Sequence, residues 1–205
     1  RPGDAEAAIL SSSKAEMRTT AIAALRQHLA AMEDETARRI VARRAWAGLA
    51  SGLAQDGFKS GSKWLISANP TPDELLGVLE SMVPGMANVD KVDETGRWVE
   101  WSAEMLPATE SVECIYSMMQ SWAWRDFQSA GQWINARPDS PMKHTAIRAY
   151  AEMLARNEPE AASQWAMTLP PGKDRDLTLR RIYDNWPKDD PAAKEDFAAA
   201  HGIKP

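Results

Sequence analysis

Six positions near the C-terminus constrain this chain most. Trp133, Trp165 and Phe197 stand 32 residues apart, and so do Asp126, Glu158 and Asp190. A large aromatic and an acidic residue recurring at one fixed period are the mark of an internal helical repeat. Upstream, DGFKSGSKWLISANPT from Asp56 aligns without gaps on RDFQSAGQWINARPDS from Arg125, pairing Phe58 with Phe127, Ser60 with Ser129 and Trp64 with Trp133. The anchors are therefore Trp64, Trp101, Trp133, Trp165 and Phe197, at spacings of 37, 32, 32 and 32. Pro70, Pro107, Pro138 and Pro170 each follow a Trp anchor by five or six positions.

Each unit reads as a helical hairpin. Its first helix starts at an acidic residue, Asp126, Glu158 or Asp190, and in the last two a proline follows directly. An Asp at the N-cap accepts backbone N–H bonds, and Pro suits the first helical position because its missing donor would be unpaired anyway. Ala162, Trp165, Ala166 and Leu169 then keep the i, i+3, i+4, i+7 pattern of one buried face until a proline turn stops the helix. The second helix opens on its own signals. Thr71-Pro72-Asp73-Glu74 is a capping-box pattern, and Ser140-Pro141 repeats the cap-then-proline part. Ile147, Tyr150, Ala151 and Leu154 form its inner face, and the positions equivalent to Ile147 are Trp46, Ile115 and Leu179. A hairpin this short does not bury a Trp alone, so the units stack. The expected fold is all-α: an α-solenoid of about five helical hairpins with a period near 32 residues.

Residues 1–13 read as a frayed segment with a helical turn through Ala5–Leu10, residues 14–55 as an atypical capping hairpin, and residues 56–205 as the repeat array, in one domain overall. In the capping hairpin, Ile22, Leu25 and Leu29 share one face of the first helix. Glu33-Asp34-Glu35-Thr36 breaks it, and a second helix over 36–54 buries Ile40, Ala45, Trp46 and Leu49. The five extra residues of the first interval fall between Ser81 and Thr95, where Pro84-Gly85 stops a helix and a longer loop carries Met86, Val89 and Val92.

The hairpin unit resembles those of tetratricopeptide and Sel1-like solenoids. It is more similar to Trp/Pro-punctuated helical repeats of uncharacterised exported bacterial proteins. The pattern W-A-x-x-L-P at Trp165–Pro170, a charged turn, the second helix and D-P-x-A at Asp190–Ala193 carry that resemblance, over about residues 56–205. The tetratricopeptide consensus itself is absent, since its Trp-Leu-Gly-Tyr spacing is missing and its period is about 34. The resemblance implies a solenoid scaffold and transfers no catalytic residue.

Composition bounds the partners. The net charge of −5 disfavours general nucleic-acid binding. It is spread unevenly: residues 1–63 net +3, residues 64–125 net −7, residues 126–205 net −1. Self-association of the basic end with the acidic middle of a second copy is one consequence. No apolar run is long enough to span a membrane. The chain opens on Arg1 rather than methionine, which points to an upstream segment and an exported or periplasmic protein.

Candidate chemistry is sparse. His28, His144 and His201 are isolated and Cys114 is the only cysteine, so a zinc site has no ligand set. Cys114 aligns with Ala146 and Thr178 and reads as a small packing position, and His144 as a solvated residue in the first turn of a helix. No phosphate-cradling glycine loop occurs. Glu100 and Glu104 are one helical turn apart and raise the alternative of a metal-dependent all-α hydrolase. Their bland explanation is a solvated face. Arg38, Arg39, Arg43 and Arg44 make two rows on one helix, suited to phosphate or carboxylate, or merely to a solvated capping face.

Nine Trp against three Phe and three Tyr follow from the anchors. Trp122 and Trp186 align with Leu53 and Leu154 and belong to the core. Trp98 and Trp124 stand outside the repeat pattern, and such a Trp is a candidate interface anchor. The expected function is a non-enzymatic protein- or peptide-binding scaffold with no cofactor and no metal. Its candidate surface is Trp98 and Trp124, with Glu94, Glu100 and Glu104 attracting a basic partner. The remaining alternative is a purely structural segment of a larger exported or membrane-anchored protein.

Overall fold

A computed structural model describes residues 2–82, 92–188 and 190–204. Among them every regular element is a helix and none is a strand: α1 (Pro2–Ala30), α2 (Glu35–Ala47), α3 (Ala50–Asp56), α4 (Phe58–Ala68), α5 (Pro72–Met82), α6 (Val92–Met105), α7 (Ala108–Arg125), α8 (Phe127–Asn135), α9 (Pro141–Leu154), α10 (Pro159–Met167), α11 (Lys173–Asn185) and α12 (Pro191–Ala200). No helix of the described residues is long and apolar enough to cross a membrane. The longer loop expected after Ser81, with Pro84-Gly85, Met86 and Val89, lies outside the described residues.

The chain divides into two compact units, 1–110 and 111–205. The boundary falls in the first turn of α7. Within unit 1, α2 packs along α5, and α3 packs on both α4 and α5. Arg18 on α1 also reaches Asp56 at 2.5 Å, both side chains nearly buried, and the Trp64 indole donates to Thr19 Oγ1 at 3.2 Å.

In unit 1, α1 runs unbroken from Pro2, so the backbone expected to be frayed is helical. Pro2 sits where its missing donor costs nothing, and Ala5, Ala7 and Ala8 are strong helix formers. Ile22 and Leu29 are buried as expected, and Leu25 is half-buried. Asp34 accepts from the Ala37 backbone N–H and starts α2 at the expected break.

The single helix expected over 36–54 is instead α2 and α3, because the chain breaks at Gly48-Leu49. Within α2 the buried face runs through Ala42 and Trp46, one turn apart, so Ile40 (48% exposed) and Ala45 face outward; Leu49 is half-buried, and Leu53 and Ala54 of α3 fill the core. Thr71 and Glu74 form the full capping box of α5. The Glu74 carboxylate accepts from the Thr71 N–H at 2.8 Å, and the Thr71 hydroxyl accepts from the Glu74 N–H at 3.3 Å.

In unit 2 side chains cap the helices at the positions expected. Asp126 accepts from Ser129 N–H and Asp190 from Ala193 N–H, each at 3.0 Å, and Ser140 from Lys143 N–H at 3.2 Å. The Ser129 hydroxyl and N–H hold the Asp126 carboxyl below the usual carboxylate range. Glu158 stands at the same position before α10 and makes no such bond.

Each anchor meets an aromatic ring. Trp64 lies 6.0 Å from Trp46, Trp133 5.7 Å from Trp122, Trp165 5.0 Å from Tyr150 and Phe197 4.9 Å from Trp186. The partner comes from the preceding helix in unit 2, where such pairs add roughly 0.5–1.5 kcal/mol beyond the area they bury. Trp64, Trp133 and Phe197 are buried, but Trp165 is only half-buried. The inner face of α9, with Ile147, Tyr150, Ala151 and Leu154, is buried as expected, as are Cys114, Ala146 and Thr178 at their shared position.

Candidate functional site

Of the five residues proposed for an interaction surface, four lie on α6 in unit 1 and only Trp124 lies in unit 2. Trp98 is not a surface residue: it is 1% exposed. Its ring is 5.1 Å from Phe58 and 5.5 Å from Trp101, both edge-on. It also lies against Gly61, where an added Cβ would come within 3.1 Å of the indole. The glycine on α4 is what makes room for the ring.

Glu94 is engaged as well. It accepts from the Phe58 backbone N–H at 2.5 Å, which caps α4 from a neighbouring helix. The position of Asp126 in the repeat is Gly57 here, with φ of 79°, so α4 has no side-chain cap of its own and borrows one. Glu100 is half-buried and Glu104 exposed, one turn apart on α6. The described residues gather no group of three or more His, Cys, Asp or Glu around an ion-sized space.

The arginine stripe is partly paired within the unit. Arg39 contacts Asp73 at 3.2 Å and Arg43 contacts Glu80 at 2.6 Å, both acids on α5. Asp73 holds the Arg39 guanidinium pKa above its ordinary value. Arg39, Ile40 and Arg43 with Thr36 and Asp73 line a shallow cleft of about 180 Å³.

Trp124 is placed as an off-pattern Trp at a surface should be. It is 74% exposed. Two residues along a helix turn the side-chain direction by about 200°, so Trp122 can enter the core against Trp133 while Trp124 leaves it. Asp126 then caps α8, whose first residue, Phe127, is also exposed. The Tyr150 hydroxyl on α9 donates to the Phe127 carbonyl at 3.0 Å and fixes that turn. Gly131 allows this approach, since a Cβ there would stand 2.7 Å from the Tyr150 oxygen.

Between these elements lies a cleft of about 150 Å³, lined by Ala123, Trp124, Phe127, Met153, Leu154, Asn157 and Glu158. Small-molecule sites usually run from roughly 300 Å³ upward. This one has room for a side chain of a partner rather than a substrate. Its walls are aromatic and apolar. Its rim carries the Asn157 amide and the Glu158 carboxylate, and burial and then the Glu158 charge push the Tyr150 hydroxyl pKa up.

A polar network in unit 2 went unseen in the sequence. Glu152 on α9 is buried, accepts from the Tyr116 hydroxyl of α7, and is contacted by Arg181 of α11 at 2.9 Å. Arg181 also donates to the Tyr116 oxygen at 3.0 Å, as does Gln120 at 3.1 Å. Burial, then the Glu152 bond, push the Tyr116 phenol up to about 12. A phenol held so firmly protonated is a poor acid or base at neutral pH, and each carboxylate and guanidinium contact already has its partner. The network joins three helices rather than presenting a reactive group. Its signal was legible in principle: Gln120, Glu152 and Asp184 occupy one repeat position, polar in all three units.

His144 is not simply solvated, for its ring lies 2.6 Å from the Asp139 carboxylate. It has no second acidic or metal-ligating contact among the described residues. No family model, no curated protein and no solved structure matches this chain.

Proposed function

We propose that this chain is a non-enzymatic scaffold of the helical-repeat type, an α-solenoid of about five hairpins akin to the tetratricopeptide and Sel1-like class, that binds a protein or peptide through the Trp124 cleft. The observation that carries this reading is a tryptophan 74% exposed beside a second exposed aromatic, Phe127, over a cleft of side-chain size. Exposing an indole forgoes roughly 2 kcal/mol or more of burial, and tryptophan is the residue most often found as an interface hot spot. The 32-residue period and the recurring Asp and Ser caps support the repeat reading.

Selection of a random peptide library on the immobilised chain, repeated on Trp124→Ala, tests it. Peptides enriched by the native chain and lost by the variant, with unchanged thermal melts, are the expected result. Enrichment of the same peptides by both proteins would overturn the choice of site, and enrichment by neither would overturn the scaffold reading.

A further inference from the structure

We infer that the Trp124 cleft takes a cationic side chain, a lysine or arginine of a basic peptide segment, held between the two aromatic rings and the Glu158 carboxylate. This deepens the scaffold reading and rests on it. Three features of the cleft argue for a cation over a purely apolar anchor.

The first is the aromatic pair. Trp124 and Phe127 both line the cleft and both are exposed, so a partner can reach their faces. The face of an indole is the strongest aromatic site for an ammonium or guanidinium.

The second is charge. Glu158 is the one charged residue among those lining the cleft, and no Lys or Arg lines it. A cation entering between the rings therefore meets a carboxylate and no competing cation on the walls.

The third is that this carboxylate is free of the task its equivalents perform. Asp126 and Asp190 at the same repeat position accept backbone N–H bonds and cap their helices, whereas Glu158 makes no side-chain cap bond. Glu158 lines the cleft, and its charge acts on Tyr150, whose hydroxyl donates to the Phe127 carbonyl. The Asn157 amide beside Glu158 offers an acceptor for a further N–H of the guest. Met153 and Leu154 on α9 close the floor against the aliphatic stem of a long cationic side chain.

The test follows the Trp124 indole N–H resonance, assigned by its loss in Trp124→Phe, during titration with blocked single residues. The probes are N-acetyl-lysine amide, its trimethylated form, N-acetyl-arginine amide and N-acetyl-norleucine amide. The expected result is a saturable shift with the cationic probes, with norleucine about three- to fivefold weaker. Glu158→Gln should weaken the cationic probes by a similar factor and leave norleucine unchanged. Glu158 is exposed and makes no cap bond, so this variant folds as the native chain does. Equal binding of norleucine and lysine overturns the cation while leaving the scaffold intact. Cationic probes indifferent to Glu158→Gln, or no shift with any probe, also overturn it, and the library selection then decides the scaffold reading separately.

Discussion

Trp98 and Trp124 look alike in the sequence, for each departs from the repeat, yet one is sealed in unit 1 and the other stands open on unit 2. Their repeat-equivalent neighbours explain the difference. At the Trp98 position, three residues before the anchor, stand Gly61, Ala130 and Ala162, all small and buried, and Lys194, which is half-buried. At the Trp124 position, nine residues before the anchor, Gln55, Arg156 and Lys188 are polar and exposed, and the sequence has Val92 in the remaining place. At both spacings, most of the matching residues share the facing of the tryptophan. Trp98 is thus a core residue enlarged, with Gly61 giving way, whereas Trp124 is a surface residue made aromatic.

The sharpest way to break this comparison is to truncate both rings. Trp98→Ala should cost about 3–5 kcal/mol in chemical denaturation, as for other large-to-alanine changes in a core. A loss below 1 kcal/mol would mean that the Gly61 contact is not tight.

Next in size is Glu152→Ala, which tests how firmly α7 is held through Tyr116 and Gln120, the residues two turns and one turn before Trp124 on the same side of the helix. It should cost about 2 kcal/mol, less than for a fully buried pair, because the half-exposed Arg181 can return to water. The same network gives a pH dependence. Tyr116 ionises at about 12 in the folded chain and at its ordinary value of 10.0 when unfolded, so in that window the unfolded state has fewer protons bound. Stability therefore falls as pH rises from about 10 to 12, and Tyr116→Phe should flatten part of that slope in alkaline melts.

Glu94→Ala removes the borrowed cap of α4 and should cost about 1 kcal/mol, with faster amide exchange confined to the first turn of α4. The smallest effect on stability belongs to Trp124→Ala, within about 0.5 kcal/mol as for surface changes generally. It should nevertheless remove peptide capture. A large destabilisation there would place Trp124 in the fold and end the comparison.

Much of the core was readable because it is periodic. The anchors, the ring partners Trp122 and Trp186, the buried Cys114 position and the caps at Asp126, Asp190, Thr71 and Ser140 all follow from local rules that act within one hairpin. What escaped depends on a neighbouring helix. The Arg39 and Arg43 pairs need α5 alongside α2, the Glu94 cap needs α6 beside α4, and the burial of Trp98 needs the vacancy at Gly61. The outward turn of Ile40 and Ala45 has another cause, for the buried face of α2 is set by Ala42 and Trp46, one turn apart, and neither residue lies on it. The Trp124 cleft was half legible. The exposed indole could be suspected, but Met153 and Glu158 join it only through the packing of α9 and the start of α10.

Helices packed in series can open from an end one at a time when each touches only the next. Tyr116 on α7 and Arg181 on α11 meet directly, and both bond Glu152 of α9, so these three helices are tied at one point. Releasing α11 strips Glu152 of its counter-charge and loosens the phenol of α7 in the same event. Amide exchange in α7, α9 and α11 should therefore report one shared opening, a single cooperative block rather than a ladder of successive frays.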